Sequence, residues 1–149
     1  MIGLIQRVSS AHVAVAGERV GAIEQGLLVL LGVEAHDTED SARWLAERIS
    51  GYRVFADSAD KMNLSAKDLG LAILAVPQFT LAADTSRGRR PSFSRAAPPE
   101  LGKFLFDSFT DALRGLEMTV ETGVFGADMQ VSLVNDGPVT FWLQTPATE

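Results

Sequence analysis

The run Gly26-Leu27-Leu28-Val29-Leu30-Leu31-Gly32-Val33 is a continuous apolar stretch, so it predicts a strand that is buried on both faces. Shorter strands precede it in the chain. Ile2 to Ser9 predicts one strand, and Val13 to Ala16 with Arg19 to Ile23 predict a hairpin around Gly17-Glu18. The N-terminal part of the chain is therefore expected to form a sheet around a buried strand.

Two helices are predicted after this run. The first begins at a cap formed by Asp37 or Thr38 and continues to about Tyr52. Its apolar residues have the spacing of one helical face: Ala42, Leu45, Ala46, Ile49 and Tyr52. The second helix begins at Pro98-Pro99, because proline fits the first turn of a helix, and ends at Gly115. Its expected core positions are Leu101, Leu105, Phe109, Ala112 and Leu113.

The remaining segments predict strands. Arg53 to Ala56 and Leu71 to Val76 are short apolar segments, and the second of them ends at Pro77. Met118 to Gln144 predicts strands with breaks at Gly123, Gly126 and Asn135-Asp136-Gly137-Pro138. No linker is apparent, so we expect one domain over residues 1–149. The predicted class is α+β, with a mostly antiparallel sheet and two helices.

Composition excludes several kinds of chemistry. The chain has no cysteine, and its two histidines, His12 and His36, are too far apart in sequence to suggest a metal site. We therefore expect no metal and no cofactor. The longest apolar run is too short to span a bilayer, and no signal peptide is apparent, so we expect a cytoplasmic protein without a membrane partner.

One local stretch departs from the net charge of −6. Between Thr85 and Pro99 the chain carries arginines and no acidic residue. The loop from Ala82 to Ala97 is also long for a compact domain. Two interpretations stay open: a solvated loop, or a patch that contacts phosphates through guanidinium groups. The arginines of this loop are Arg87, Arg89, Arg90 and Arg95.

The first candidate site segment is Val76-Pro77-Gln78-Phe79-Thr80-Leu81. Proline lacks an N–H group and stops a strand ladder. We therefore expect the main-chain N–H groups of Gln78, Phe79 and Thr80 to be free to face a ligand. The alternative is an ordinary strand end with a buried Phe79 and a satisfied Thr80.

The second candidate segment is Asn135-Asp136-Gly137-Pro138-Val139-Thr140. An X-Pro bond can adopt the cis form, and glycine has no Cβ atom. The carbonyl oxygens of Gly137 and Pro138 could then face the ammonium and Cα–H side of an amino acid. They would leave no room for a side chain there, so one enantiomer would be excluded. The alternative is a turn that joins two strands.

No activated side-chain nucleophile is apparent in this chain. It has no Gly-x-Ser-x-Gly segment, and neither histidine marks a triad. If the protein is an enzyme, we expect it to work by positioning its substrate and by oriented hydrogen-bond donors.

The two segments together resemble the signature motifs of D-aminoacyl-tRNA deacylases, Ser-Gln-x-x-Leu and Asn-x-Gly-Pro-x-Thr. The matching residues are Gln78, Leu81, Asn135, Gly137, Pro138 and Thr140, and the likeness extends from Met1 to Leu143. This chain has Pro77 where the family usually has serine. Pro-Gln is more typical of a sibling group with relaxed chirality, whereas Phe79 and the intact second motif favour the D-specific group.

The resemblance implies a barrel-like deacylase fold and a homodimer with its active sites at the subunit interface. It implies that Gly137-Pro138 is cis and reaches into the partner's pocket, and that Arg7 braces this motif. It also implies that the 2′-hydroxyl of the terminal adenosine helps to activate water, while main-chain N–H groups near Phe79 and Thr80 stabilise the oxyanion. Thr80 has been considered as a nucleophile in this family, but no base is evident beside it.

The expected reaction is hydrolysis of the ester of D-aminoacyl-tRNA, and of glycine mischarged onto tRNA for alanine. The expected partner is the 3′ end of charged tRNA, with Arg87, Arg89 and Arg90 contacting the RNA and no DNA partner. Three alternatives remain: a tRNA deacylase of relaxed specificity, a non-catalytic RNA-binding module, and a hydrolase of free D-aminoacyl esters.

Overall fold

A computed structural model of the protein describes residues 1–146. Its elements, in chain order, are β1 (Ile2–Val15), β2 (Glu18–Ile23), β3 (Gly26–Gly32), α1 (Glu39–Ser50), β4 (Phe55–Ala56), β5 (Met62–Leu64), α2 (Ala66–Leu69), β6 (Ala72–Pro77), a 3-10 turn (Phe79–Ala82), α3 (Pro99–Gly115), β7 (Val120–Thr122) and β8 (Gln130–Gln144). The α+β class is confirmed, with one short helix more than the sequence predicted.

The main sheet has six strands, in the order β2-β1-β3-β6-β7, and β8 pairs with β1. β1 is antiparallel to β2, β3 and β8, whereas β3–β6 and β6–β7 are parallel. The sheet curls until β2 approaches β7. A Cβ atom at Gly21 would lie only 2.7 Å from the carbonyl oxygen of Thr122, so this approach requires glycine. The result is a nearly closed, barrel-like mixed sheet.

Buried residues fill both faces of the central strand β3, as its unbroken apolar run predicted. Leu27 and Val29 belong to the core beneath α1 and α3, and Leu28 belongs to a smaller core on the opposite face. The helix-side core includes Ile5, Leu45, Ile49, Leu105 and Phe109. The two helices therefore cover one face of the sheet.

The helix boundaries follow local capping chemistry. The Thr38 hydroxyl accepts a hydrogen bond from the Ser41 N–H, and the Ser41 hydroxyl accepts one from the Thr38 N–H, so Thr38 rather than Asp37 is the cap of α1. Pro98 and Pro99 begin α3, and Gly115 is its last residue, as predicted. The unexpected helix α2 has the same reciprocal cap, between Ser65 and Asp68.

Two strand predictions were wrong. The predicted strand Ile2–Ser9 and the first hairpin strand, which ends at Val15 rather than Ala16, form one long strand, β1, which β8 follows almost from end to end. The predicted hairpin between the end of β1 and β2 is confirmed. The expected break at residues 135–138 is a bulge inside β8, because β1 provides pairing partners on both sides of it. β5 is a further short strand that the sequence did not indicate.

Candidate functional site

The first motif lies where β6 ends beside β3. Pro77 is paired with Leu31, and the N–H of Gln78 donates a hydrogen bond to the carbonyl oxygen of Leu31 at 2.8 Å. The expectation that the Gln78 N–H is free was therefore wrong. In a parallel ladder, the residue after the proline can still reach the neighbouring strand and continue the pairing.

The next two N–H groups are different. Phe79 and Thr80 open the 3-10 turn, and the first N–H groups of a helical turn have no acceptor within it. None of the residues that the structure describes accepts a hydrogen bond from either group. Two adjacent main-chain donors are therefore available to a ligand at this position.

The side chains of the same turn interact with each other. The amide of Gln78 donates to the hydroxyl oxygen of Thr80 at 3.2 Å. Within residues 1–146, no carboxylate or imidazole hydrogen-bonds to this hydroxyl. An amide donor cannot remove a proton, so Thr80 has no general base in this arrangement.

Gln78 and Phe79 line an apolar cavity of about 550 Å³, a volume typical of small-molecule sites. The Phe79 side chain is 61% exposed, so the alternative of a buried Phe79 was wrong. Its ring lies 5.3 Å from that of Phe93, which is 42% exposed. The other lining residues are Leu31, Val33, Pro77, Ala96, Ala97, Pro98, Pro99, Gly102, Phe106, Phe125 and Gly126.

The sequence interpretation missed three aromatic members of this cavity, Phe93, Phe106 and Phe125. Phe93 is an aromatic residue inside an otherwise polar loop, which was an available signal. Phe106 lies on α3, one residue after the expected core position Leu105. Phe125 follows β7, and nothing in its local sequence indicated that this segment returns to the cavity.

The second motif is the bulge of β8. Thr140 pairs with Gln6, and Asn135 pairs with Val8. Between these two pairs, the step along β8 is five residues, from 135 to 140, whereas the step along β1 is only two residues, from 6 to 8. Four residues of β8, 136–139, stand opposite Arg7 alone. The Gly137-Pro138 bond is cis, as the resemblance implied, and both residues are exposed.

Side-chain hydrogen bonds hold the base of this bulge. The amide nitrogen of Asn135 donates to the Thr140 hydroxyl at 2.8 Å, and the amide oxygen of Asn135 accepts from the Val139 N–H at 3.1 Å. One side chain thus joins both ends of the motif. This contact explains why asparagine and threonine stand five residues apart in it.

Arg7 fills the gap opposite the bulge. Its Nε atom donates to the carbonyl oxygen of Asp136 at 3.1 Å, and its Nη1 atom donates to the carbonyl oxygen of Val54 at 2.7 Å. The Asp136 carboxylate lies 3.7 Å from the same Nε atom. Arg7 therefore connects the second motif to the segment that follows α1.

Within residues 1–146 of one chain, the two motifs do not line the same cavity. Gln78 and Phe79 line the apolar cavity, but no residue from 135 to 140 is among the described residues that line it. The main-chain donors and the cis Gly137-Pro138 segment are therefore separate features of the single chain.

The arginine-rich loop is ordered around Asp84. The N–H of Asp84 donates to the carbonyl oxygen of Ser92 at 2.7 Å, and the Asp84 carboxylate lies 3.6 Å from the guanidinium of Arg95. Hydrogen bonds from the Ser86 hydroxyl and N–H, together with Arg95, hold the pKa of Asp84 below its ordinary value. Arg87, Arg89 and Arg90 are exposed, and they form no ion pair with any residue from 1 to 146.

Glu34, His36 and Asp37 place their ligand atoms within 4.8 Å of one another, which is the spacing of a metal site. The Met1 amino group already occupies this cluster, donating to Asp37 Oδ1 at 2.6 Å and to Glu34 Oε1 at 3.2 Å. We therefore interpret the cluster as an internal ion pair. None of the helices in residues 1–146 combines the length and the apolar character needed to cross a membrane.

These features define a class of α+β proteins whose candidate site is built from main chain rather than from a catalytic side chain. The family model described as D-Tyr-tRNA(Tyr) deacylase matches residues 4–144, and the chain belongs to this family. The protein from Escherichia coli O1:K1 / APEC named D-aminoacyl-tRNA deacylase is 59% identical over 144 residues, which cover 97% of this chain and 99% of that protein. The Shigella boydii serotype 18 protein of the same name has the same identity and coverage.

Two solved structures share the fold. One, described as c-Myc DNA Unwinding Element Binding Protein, has a TM-score of 0.93 and 40% identity, covering 99% of this chain and 100% of that one. The other, described as a probable eukaryotic D-amino acid tRNA deacylase, has a TM-score of 0.86, covering 97% of this chain and 98% of that one. At 17% identity, the second likeness concerns the fold alone.

Proposed function

We propose that the protein hydrolyses the ester bond of D-aminoacyl-tRNA and releases the free D-amino acid and tRNA. The observation that carries this proposal is the pair of N–H groups of Phe79 and Thr80, from which no residue from 1 to 146 accepts a hydrogen bond, beside an apolar cavity. Ester hydrolysis needs donors for the oxygen that becomes negative in the transition state, and main-chain N–H groups serve this role without reorganising. Membership of the deacylase family supports the same reaction.

In the proposed mechanism, water attacks the ester carbonyl carbon and the carbonyl oxygen becomes an oxyanion between the two N–H groups. The tetrahedral intermediate then breaks its bond to the ribose 3′-oxygen, which takes up the proton lost by the attacking water as the tRNA leaves. The neighbouring 2′-hydroxyl of the terminal adenosine orients the attacking water. The absence of a general base beside Thr80 among the described residues favours this substrate-assisted mechanism.

We propose that the apolar cavity is the binding site of the terminal adenosine. Its phenylalanine rings offer faces on which a base can stack, and its volume of about 550 Å³ suits a nucleoside. Gln78, Phe79 and Thr80 would hold the ester at the mouth of this cavity. In our proposal, Arg87, Arg89 and Arg90 contact phosphates of the same tRNA.

We infer that the active protein is a homodimer in which each cavity is completed by Gly137 and Pro138 of the second copy. Within residues 1–146, β8 pairs only with β1, so its other edge is open. Val134 and Trp142 on this strand are 56% and 52% exposed. An open strand with large exposed apolar residues is a typical site of association.

In this arrangement the Gly137 and Pro138 carbonyls would face the Cα–H side of the substrate and exclude an L side chain. Glycine has no side chain to exclude, so glycine mischarged onto tRNA for alanine should also be hydrolysed. Asn135, Thr140 and Arg7 would keep the bulge in place through the hydrogen bonds described above. We propose the cytoplasm, where charged tRNA is used, as the location.

Single-turnover deacylation of D- and L-tyrosyl-tRNA tests this function. We expect hydrolysis of the D form and sparing of the L form, and a large loss of rate when the terminal adenosine lacks its 2′-hydroxyl. Comparable rates for both hands would support the relaxed-specificity alternative, which Pro77 leaves open. Binding without hydrolysis would indicate an RNA-binding module. Hydrolysis that proceeds equally on free D-tyrosyl esters would indicate a small-molecule hydrolase.

A further inference from the structure

A second cavity, of about 630 Å³, lies between the end of α1 and β8. Three aromatic side chains line it: Trp44, Tyr52 and Phe141. The rings of Tyr52 and Phe141 meet edge to face, with their centroids 5.8 Å apart. This geometry fixes two aromatic surfaces at one side of an open cavity.

The same cavity carries two guanidinium groups. Arg48 lies over the ring of Trp44, 4.5 Å from its centroid, and Arg53 donates to the side-chain oxygen of Asn63 at 3.3 Å. Neither arginine forms an ion pair with any residue from 1 to 146. One acidic residue, Glu47, also lines the cavity, so two basic side chains and one carboxylate lie in its lining.

Arg7 joins this cavity to the second motif. Val54 lines the cavity, and its carbonyl oxygen accepts the hydrogen bond from Arg7 Nη1. The same guanidinium holds the carbonyl oxygen of Asp136, the residue before Gly137. The Arg7 side chain therefore links the aromatic cavity to the Gly137-Pro138 segment.

We propose that this cavity binds an unpaired nucleotide of the tRNA 3′ strand, close to the terminal adenosine. The inference rests on the proposed function and on the second copy: the Gly137-Pro138 segment reaches the aminoacyl end in the partner's cavity. The strand that leads to this end then passes the aromatic cavity beside the segment. Aromatic rings accept unstacked bases, and arginines accept the phosphates between them.

The arginines distinguish a nucleotide from an apolar partner. An apolar peptide or strand seated here would bury Arg48 and Arg53 without supplying an anion, which is costly for a charged group. A nucleotide supplies both an aromatic face and a phosphate. The aromatic cavity is therefore better suited to binding RNA than to contacting a second copy of the chain.

The test compares the double variant Arg48→Gln/Arg53→Gln with the control Arg19→Gln/Arg43→Gln, which removes the same charge elsewhere. We expect the cavity variant to raise the KM for D-tyrosyl-tRNA about tenfold with kcat unchanged. Hydrolysis of D-tyrosyl-adenosine, which lacks the neighbouring nucleotide, should be unaffected. The control pair should leave both substrates unchanged.

A binding measurement tests the subsite independently of catalysis. An uncharged CCA-ended oligonucleotide would carry 2-aminopurine in place of the nucleotide before the terminal adenosine. We expect wild type to quench its fluorescence and Trp44→Ala to lose most of the quenching.

Four results would overturn the proposal: no quenching by wild type, an equal effect of the control pair, an equal loss on D-tyrosyl-adenosine, or a sedimentation shift to monomer in the cavity variant. If wild type hydrolyses neither substrate, the proposed function fails, while quenching still decides the subsite.

Discussion

The side-chain amide of Gln78 donates a hydrogen bond to the hydroxyl oxygen of Thr80, two residues further along the turn, at 3.2 Å. Among the described residues, the hydroxyl is therefore oriented by a neutral donor and not by a base. A threonine that acts as a nucleophile needs a neighbouring group to take its proton. The contact thus favours main-chain donors over the Thr80 hydroxyl as the chemical contribution of this turn.

The first prediction concerns the Thr80 hydroxyl. We expect Thr80→Ala to lower the single-turnover rate on D-tyrosyl-tRNA by less than about tenfold, because the main-chain N–H remains. Rapid quenching followed by mass spectrometry should find no aminoacyl group on the wild-type chain. A trapped ester on Thr80, together with abolished turnover in Thr80→Ala, would contradict the proposed mechanism.

The second prediction concerns the Phe79 N–H. Phe79→Pro removes this donor at the first position of the turn, where proline is tolerated. Phe79→Ala removes the same ring and keeps the donor, so it is the matched control. We expect Phe79→Pro to be slower than Phe79→Ala by about 100-fold or more, the usual effect of losing one oxyanion donor. Equal rates for two folded variants would exclude the Phe79 N–H from catalysis.

The third prediction concerns the exposed arginines of the loop. Replacing Arg87, Arg89 and Arg90 with alanine should weaken tRNA binding and flatten its dependence on salt. With fewer phosphate contacts, binding releases fewer counterions from the RNA. A control with Arg114→Ala, on the outer surface of α3, should leave the salt slope unchanged. If the affinity of the triple variant is unchanged at low salt, the loop is a solvated segment. A duplex DNA competitor would show whether this charge recognises RNA alone.

The fourth prediction concerns the buried Glu34 carboxylate. Burial alone would raise the pKa of Glu34, but the hydrogen bond from Gln144 and the Met1 amino group hold it below the ordinary value of 4.5. A carboxyl group with a lowered pKa in the folded state stabilises the protein above its unfolded pKa. This stabilisation is lost as the pH falls below 4.5 and through the lower folded value.

We therefore expect Glu34→Gln to lower the free energy of unfolding at neutral pH by about 1–3 kcal/mol. The difference from wild type should shrink as the pH falls below 4.5. Urea unfolding across this range measures both quantities, with the exposed Glu24→Gln as the control. A difference that stays constant over the whole range would exclude Glu34 as the titrating group.

Sequence patterns identified those parts of the molecule whose information is local. The apolar run of β3, the cap at Thr38 and the proline start of α3 all depend on neighbouring residues, and each was confirmed. The sequence of the β8 bulge also fits a turn, because glycine and proline interrupt a regular strand in a bulge and in a turn alike. Only the pairing with β1 on each side distinguishes the two.

The candidate site was partly predictable for the same reason. The two motifs are short and contiguous, so their residues were found, and the cis bond was implied by family resemblance. The cavity is assembled from β3, the loop, α3 and the segment after β7, which are distant in sequence. No local pattern could predict that Phe93 and Phe125 line one cavity, or that Leu31 would engage the Gln78 N–H.

The last prediction concerns Gly137. Its φ of +131° lies in the region that favours glycine. A Cβ atom there would lie 2.7 Å from Cγ2 of Val139 and 3.1 Å from Nη2 of Arg7. We expect Gly137→Ala to reduce deacylation by at least about 100-fold, because the methyl group displaces carbonyls that must be positioned within a fraction of an ångström. Gly17→Ala is the control, since Gly17 also has a positive φ, +82°, but no atom of residues 1–146 lies within 4 Å of a Cβ atom placed there.

The same variant can show which chain completes the cavity. Gly137→Ala subunits keep an intact Phe79 turn, and Phe79→Pro subunits keep an intact Gly137 segment. If each site combines the two motifs from different copies, a mixture that exchanges subunits forms mixed dimers with one intact site each. Activity should then return to roughly a quarter of wild type after random exchange, although each variant alone is inactive. If both motifs acted within one chain, no intact site could form, and a mixture that remained inactive after verified exchange would contradict the shared site.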